Sequence, residues 1–361
     1  MRVAVFYDYL QTVGGGERVA LTLAKRLDAD LITTEFDPQL PERAGFAGIR
    51  VISLGHLLLR PPLKQIQSSW KFARAALDGY DFHFLIGNSA HYASRRHHPN
   101  VYYCLTPMRT FYDQREAMLA RLPVPNRWIA RAWSASHARF DRESARSCDD
   151  IVAISENVRG RIRRYYDREA RVIYPPVATS RFRFEEIGDF WLSVCRIYPE
   201  KRIELQLDAF RRLPQERLVL VGGYSPGDFA ERYLARLKPP PNVTLVGEIP
   251  EARLTDLYAR CRGFLTTAVD EDFGITPVEA MASGKCVLAT DEGGYRETVV
   301  SGRTGYLLPP DPAAFASKIR ELDESTLKAM KDPCVARARE FDEEIFVRKM
   351  RALCTWPRRT G

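Results

Sequence analysis

Short apolar runs alternate with amphipathic stretches along nearly the whole chain, and this alternation predicts its architecture. The runs Val3–Tyr7, Leu31–Thr34, Arg50–Leu54, Phe82–Ile86, Val101–Thr106 and Ile151–Ile154 are close to continuously apolar. They read as strands of a parallel sheet, buried on both faces and joined by crossover helices. The segment after the first run places Val19, Ala20, Leu23 and Leu27 at helical spacing. A second series comprises Trp191–Val194, Leu218–Val221, Val243–Val246, Phe264–Thr267, Cys286–Ala289 and Tyr306–Leu308. Between the two, Val172-Ile173-Tyr174-Pro175-Pro176-Val177 breaks the pattern with paired prolines, as an interdomain connection does. The expected class is α/β, with two doubly wound units at residues 1–174 and 175–338. A last segment, 339–361, carries one more helix around Glu343–Leu353. Ligands of such sheets bind beyond the C-terminal ends of the strands, so a cleft between the units is the expected site.

Composition narrows the classes. A chain of 361 residues favours two domains, and 45% hydrophobic with 28% charged residues is globular usage. No apolar run approaches the roughly 18–20 residues of a membrane span. The N-terminus runs directly into Arg2-Val3-Ala4-Val5 without the layout of a signal peptide, so a cytoplasmic location is expected. Seven cysteines without a Cys-x-x-Cys pair read as reduced thiols, with neither a disulfide frame nor a zinc site. The net charge of +8 favours anionic partners such as phosphates or anionic lipid. Zinc-finger spacing, an RNA-recognition signature and a basic tail are all missing, and no nucleic-acid partner is expected.

Residues 270–284, Asp-Glu-Asp-Phe-Gly-Ile-Thr-Pro-Val-Glu-Ala-Met-Ala-Ser-Gly, carry the densest chemistry. Glu271 and Glu279 flank a turn, and Pro277 is expected to open a helix, where its missing N–H costs nothing. A loop carboxylate, a run of helix N-terminal N–H groups and a second carboxylate one turn in suit a ligand with both phosphates and sugar hydroxyls. Read alone, the same residues also describe an ordinary helix start with two solvated acids. After the strand Trp191–Val194 come Arg196 and Lys201. A guanidinium fork beside a compact ammonium suits a diphosphate, although scattered basic residues are the plainer account. Gly14-Gly15-Gly16-Glu17 follows the first strand, where glycines let backbone approach a ligand. As a dinucleotide fingerprint it is incomplete, since Val19 stands where the third glycine belongs, while Glu35 lies near the place of the ribose-binding acid.

Taken in order, these segments resemble the retaining, nucleotide-sugar-dependent glycosyltransferases of GT-B fold. Glu271 and Glu279 match the Glu-x7-Glu signature, and the likeness continues through Met281-Ala282-Ser283-Gly284 into the strand at Cys286–Ala289. Arg196 and Lys201 match the Arg-x4-Lys donor-phosphate clamp, and Gly14, Gly15 and Glu17 match the Gly-Gly-x-Glu loop. Val221-Gly222-Gly223 and Gly247-Glu248-Ile249-Pro250 correspond to loops that cradle the base and ribose through backbone groups. Thr290–Glu297 resembles the glycine-containing turn after the signature helix, and a plain loop describes it equally well. Tyr102–Arg109 is similar to a segment of members that extend lipid-linked or polymeric glycans, many of them mannosyltransferases. Leu105 stands there at a position commonly histidine.

The resemblance implies a transferase moving a hexose, mannose from GDP-mannose first, to a glycan or lipid-linked hydroxyl with retention, in polysaccharide biosynthesis. It implies Glu271, Arg196 and Lys201 as catalytic residues. Gly14, Gly15, Phe273, Gly274, Ile275, Thr276, Glu279, Gly222 and Ile249 would bind donor, and His91 and Arg109 would lie on the acceptor or sugar side. Neither a metal nor another cofactor is implied, and the last helix would cross back to the first domain. Leu105 keeps open a catalytically weak binding or scaffold subunit of a glycan-assembly complex, because leucine offers no hydrogen bond or proton. An epimerase or NAD enzyme of similar architecture is a third alternative, which the incomplete fingerprint disfavours. Leu63, Ile66, Trp70, Ala73 and Leu77 form a helical stripe beside Arg60, Lys64, Lys71 and Arg74. Either it packs on its own sheet or it lies on anionic lipid, giving peripheral membrane contact.

Overall fold

The computed structural model describes residues 1–57, 63–120, 122–224 and 230–355. The chain forms two compact units, Met1–Pro176 with the chain from Phe346 onward, and Val177–Ile345. The first is built on a seven-stranded sheet: β1 (Val3–Tyr7), β2 (Asp30–Thr33), β3 (Val51–Ser53), β4 (Phe82–Ile86), β5 (Asn100–Cys104), β6 (Asp150–Ala153) and β7 (Arg171–Val172). Their order is β3-β2-β1-β4-β5-β6-β7, and every pairing is parallel. Every residue of β1, β4 and β5 is buried, which is why their sequences are apolar runs rather than alternations. The six expected strands are all present, Val3–Tyr7 and Phe82–Ile86 with the expected bounds and the other four displaced by a residue or two. The seventh, β7, was not expected, because two residues paired only to β6 are too short to leave a period. In this unit Phe346 meets the ring of Tyr103 edge-on at 5.5 Å, and Arg351 donates to the carbonyl of Arg26 at 2.8 Å.

The second unit carries six parallel strands: β8 (Phe190–Val194), β9 (Arg217–Val221), β10 (Val243–Gly247), β11 (Gly263–Thr266), β12 (Val287–Thr290) and β13 (Gly305–Leu308). Their order is β10-β9-β8-β11-β12-β13. Here the strand order reverses between β8 and β11, as it does between β1 and β4 in the first unit. At such a point the loops leaving two neighbouring strands diverge and open a crevice.

Two helices depart from expectation. The signature helix is Ile275–Ala282, capped by Gly274, so Pro277 is its third residue rather than its first. The proline is still tolerated, since none of the first four N–H groups of a helix has an intrahelical partner. Helix Leu63–Arg74 buries Ser68, Ser69 and Phe72, while Ile66 is half-buried and Trp70 is exposed. The apolar stripe is thus not the packed face, and Leu77 lies beyond the helix end; Arg60 lies outside the described residues.

Candidate active site

In the second unit the loops after β8 and β11, the two strands at the reversal, bring the strongest chemistry together. Lys201 ends a short turn, Pro199–Lys201, and Glu271 stands in the loop after β11. Lys201 Nζ lies 2.6 Å from Glu271 Oε2, and both side chains are about one-fifth exposed, at 22% and 20%. Burial works against both charges. Lys201 nevertheless holds the Glu271 carboxyl below its ordinary value, helped by the Tyr295 hydroxyl and the Asp272 N–H. The Glu271 carboxylate in turn outweighs the burial of Lys201 and raises its pKa. The pair therefore stays doubly charged across the neutral range, a cation and an anion in contact at the mouth of the sheet.

The loop bearing Glu271 is held from beneath by the turn after β12. Gly294 donates to the Glu271 carbonyl at 2.7 Å. A Cβ on Gly293 would come within 2.4 Å of that carbonyl, and one on Gly294 within 2.5 Å of Phe273 Cα. This turn is thus no plain loop: it is the seat of the Glu271 segment, and only glycine lets the two backbones approach so closely. Tyr295, fully buried, has its hydroxyl 2.6 Å from Thr266 Oγ1 and 3.4 Å from Glu271 Oε2.

Gly274 caps the signature helix at φ +88, and a Cβ there would meet the Tyr295 ring at 2.7 Å. Ile275 and Thr276 follow, supplying first-turn N–H groups. Glu279, one turn in, accepts from the Tyr258 hydroxyl at 2.9 Å. Phe273 is different: its side chain is buried against Phe341 at 5.4 Å, so it serves packing and can meet a ligand only through backbone. Arg196 is exposed after β8, its guanidinium 5.4 Å from the Tyr198 ring centroid. Gly222, at φ +152, donates to Gly247 at 2.9 Å, and a Cβ on it would overlap the Cys195 carbonyl at 1.7 Å. Its glycine requirement is therefore already explained by strand-end packing. Ile249 is half-buried in the loop after β10.

The remaining candidates belong to the first unit. Gly14 caps helix Gly15–Leu27, and its N–H donates to Glu17 Oε2 at 2.9 Å while the Tyr7 hydroxyl donates to Oε1 at 2.9 Å. The loop is thus pinned by its own glutamate. Leu105 approaches it, with Cδ1 2.9 Å from where a Cβ on Gly16 would stand. Arg109 Nε donates to Asp113 at 3.0 Å. His91 requires a correction. It is completely buried, stacked on Tyr102 at 4.7 Å, with Nε2 3.0 Å from Asp141 Oδ1. It packs against a buried carboxylate that also accepts from Tyr92 and Tyr112.

Sequence reasoning assigned no role to Tyr258 or Tyr295. Only Tyr295 had a local signal, the two glycines before it. All seven cysteines are free, and five are buried. Among the described residues no group of three or more His, Cys, Asp or Glu could hold a metal ion.

Comparison with known proteins gives this arrangement its class. Residues 181–340 match the family model described as Glycosyl transferases group 1, and residues 13–181 match Glycosyltransferase Family 4. The fold is GT-B, and residues 181–340 are similar to the group 1 glycosyltransferases. It is 32% identical over 182 residues to the alpha-1,3/1,6-mannosyltransferase ALG2 of Dictyostelium discoideum, covering 44% of this chain and 42% of that protein. It is 26% identical over 189 residues to the O-antigen chain mannosyltransferase RfbU of Salmonella typhimurium, covering 50% and 53%. The chain spans about half the length of the curated relatives it matches. In fold it resembles Anabaena Alr3699/HepE, solved in complex with UDP and glucose. That match has a TM-score of 0.77 at 20% identity and covers 99% of this chain and 100% of the other.

Proposed function

We propose that this protein transfers a hexose from a nucleotide diphosphate sugar to a hydroxyl of a glycan or lipid-linked acceptor, with retention of configuration. GDP-mannose is the first candidate donor. The observation that carries the reading is the 2.6 Å contact between Lys201 and Glu271 at the strand-order reversal, beside the N-terminus of helix Ile275–Ala282. Mannosyltransferase relatives support the choice of sugar.

In this reading Lys201, Arg196 and the first-turn N–H groups at Gly274–Thr276 receive the diphosphate. They stabilise the negative charge that grows on it as the glycosidic bond breaks. This fixed positive charge does the work that a divalent ion does in other transferases. Glu271 turns from Lys201 toward the sugar, holding its hydroxyls and the cationic character that develops on the ring. Glu279, oriented by Tyr258, accepts from the ribose hydroxyls. The acceptor engages the first unit.

The test is a thermal-shift screen over nucleotide sugars, followed by transfer assays in which NMR reads the anomeric configuration of the product. A bound donor at about 100 times its Kd adds about 2.7 kcal/mol of stability. No shift with any nucleotide sugar, and no release of nucleoside diphosphate, would reject the reading. Binding without turnover under every acceptor condition would instead favour a binding subunit, the alternative that Leu105 beside the glycine loop keeps in view.

A further inference from the structure

Trp128 and Ile129, at 73% and 72%, are the two most exposed large apolar side chains among the described residues. Val124, at 63%, stands one helical turn before Trp128. All three lie in the first turns of the long helix Val124–Arg146. Single exposed apolar residues are ordinary, but three neighbours at these exposures form a surface that needs a partner.

The charge around this patch has one sign. The sequence has 46 acidic residues in 361, yet none lies between Glu116 and Asp141 or between Glu42 and Asp78. The first stretch holds helix Val124–Arg146 as far as Phe140, ahead of Asp141 and Glu143 in its last turns, the second holds helix Leu63–Arg74, and the two helices meet at a polar contact. Ser69 Oγ and His137 Nε2 are 3.1 Å apart. The second helix shows the same composition at its surface: Trp70 is 55% exposed, with the Arg74 guanidinium 4.3 Å above its ring. Arg127 donates to the carbonyls of Ala120 and Leu122, Arg115 to Ser134 and to the Arg131 carbonyl, and Lys71 to the Leu54 carbonyl. These partners are neutral, so the positive charge remains available. It is offset where Arg131 pairs with Glu116 at 2.7 Å, Arg139 with Glu143 at 3.0 Å and Arg146 with Asp167 at 3.4 Å, and where Lys64 lies 3.6 Å from Glu35.

From this we infer that the face formed by helices Val124–Arg146 and Leu63–Arg74 docks on an anionic lipid surface. Tryptophan and isoleucine would enter the interface while the arginines and lysines meet lipid phosphates. A second copy of the chain fits less well, because a two-fold contact would set one arginine-rich face against another. No helix among the described residues is long and apolar enough to cross a membrane, so the association would be peripheral.

The experiment is co-sedimentation of the full chain with vesicles. Phosphatidylglycerol–phosphatidylcholine vesicles are compared with pure phosphatidylcholine, at low salt and at about 0.15 M. Binding to the anionic vesicles, weakened by salt, is expected, together with a blue shift of tryptophan emission. The double variant Trp128→Ser/Ile129→Ser should lose at least about tenfold in affinity, as removal of buried apolar area does. Val300→Ser, at an exposed apolar residue of the second unit, should change nothing. The melting temperatures of these variants should match wild type. Failure to bind anionic vesicles, equal binding to neutral ones, or indifference to the double substitution would each overturn the inference. So would a dimer in solution that the double variant dissolves.

Discussion

The Arg202 guanidinium donates to both carboxylate oxygens of Glu292, at 3.0 and 3.1 Å. Glu292 also accepts the N–H of Asp270 at 3.2 Å. Arg202 directly follows Lys201, and Asp270 directly precedes Glu271. Both are non-glycine residues in the left-handed region, at φ +47, a conformation that costs of order 1 kcal/mol or more and persists only where the surroundings enforce it. One carboxylate thus ties together the chain neighbours of Lys201 and Glu271, through the Arg202 side chain and the Asp270 backbone.

From this follows a positioning role for Glu292. Glu292→Gln should lower kcat for donor turnover by about tenfold, because groups around a charged site lose rate when their geometry loosens. Steady-state kinetics read the change. An unchanged kcat with a lowered melting temperature would assign Glu292 to stability alone.

Lys201 and Glu271 should behave as a unit. Lys201→Ala and Glu271→Ala should each cost at least about 10²-fold in turnover while the fold persists. The double variant should be hardly worse than either single one, since each substitution leaves its partner without its role. Additive losses would mean that the two residues act separately.

Gly222 is fixed by sterics. With φ at +152 and a Cβ 1.7 Å from the Cys195 carbonyl, Gly222→Ala should destabilise the second unit by more than about 2 kcal/mol. Urea unfolding would measure it, and a wild-type midpoint would contradict the backbone geometry described.

Asp141 links stability to acid. Burial opposes its charge, but His91 and the Tyr112 and Tyr166 hydroxyls outweigh that and hold its carboxyl below the ordinary value of 3.8. A lowered folded value means that the stabilisation is complete above the unfolded pKa and is lost as pH falls through the folded one. Asp141→Asn should therefore cost about 3–5 kcal/mol at pH 7. The deficit should narrow below about pH 4, where the wild-type group begins to bind its proton in the unfolded state. Chemical melts at neutral and acid pH give both numbers; a deficit constant with pH would show that the loss is one of packing.

Leu105 offers a gain-of-function test. Leu105→His would place a hydrogen-bonding ring beside the Gly14–Gly16 loop. It should raise hexosyl turnover with GDP-mannose or UDP-glucose if that position faces the donor sugar. An unchanged rate, read by release of nucleoside diphosphate, would remove position 105 from the reaction.

The amino-acid sequence by itself determined the two parallel sheets, because a strand buried on both faces writes its burial as an apolar run and a crossover helix writes its own period. It also marked Glu271 and Lys201, which stand in loops after strands, while the start of the helix between Glu271 and Glu279 was expected at Pro277 and lies at Ile275. What only the tertiary structure decided is which distant groups meet there. Lys201 and Glu271 are 70 residues apart, and Arg202 and Glu292 are 90. Tyr258 and Tyr295 are hydroxyls on apolar rings that composition alone assigns to the core. His91, adjoining a promising loop in sequence, is buried on Asp141, and Trp128, one tryptophan of five, is left in the open. Local periodicity reports the face a residue shares with its neighbours in the chain. Which charge or ring lies across from it depends on the order in which strands assemble, and that order is set by packing of the whole unit.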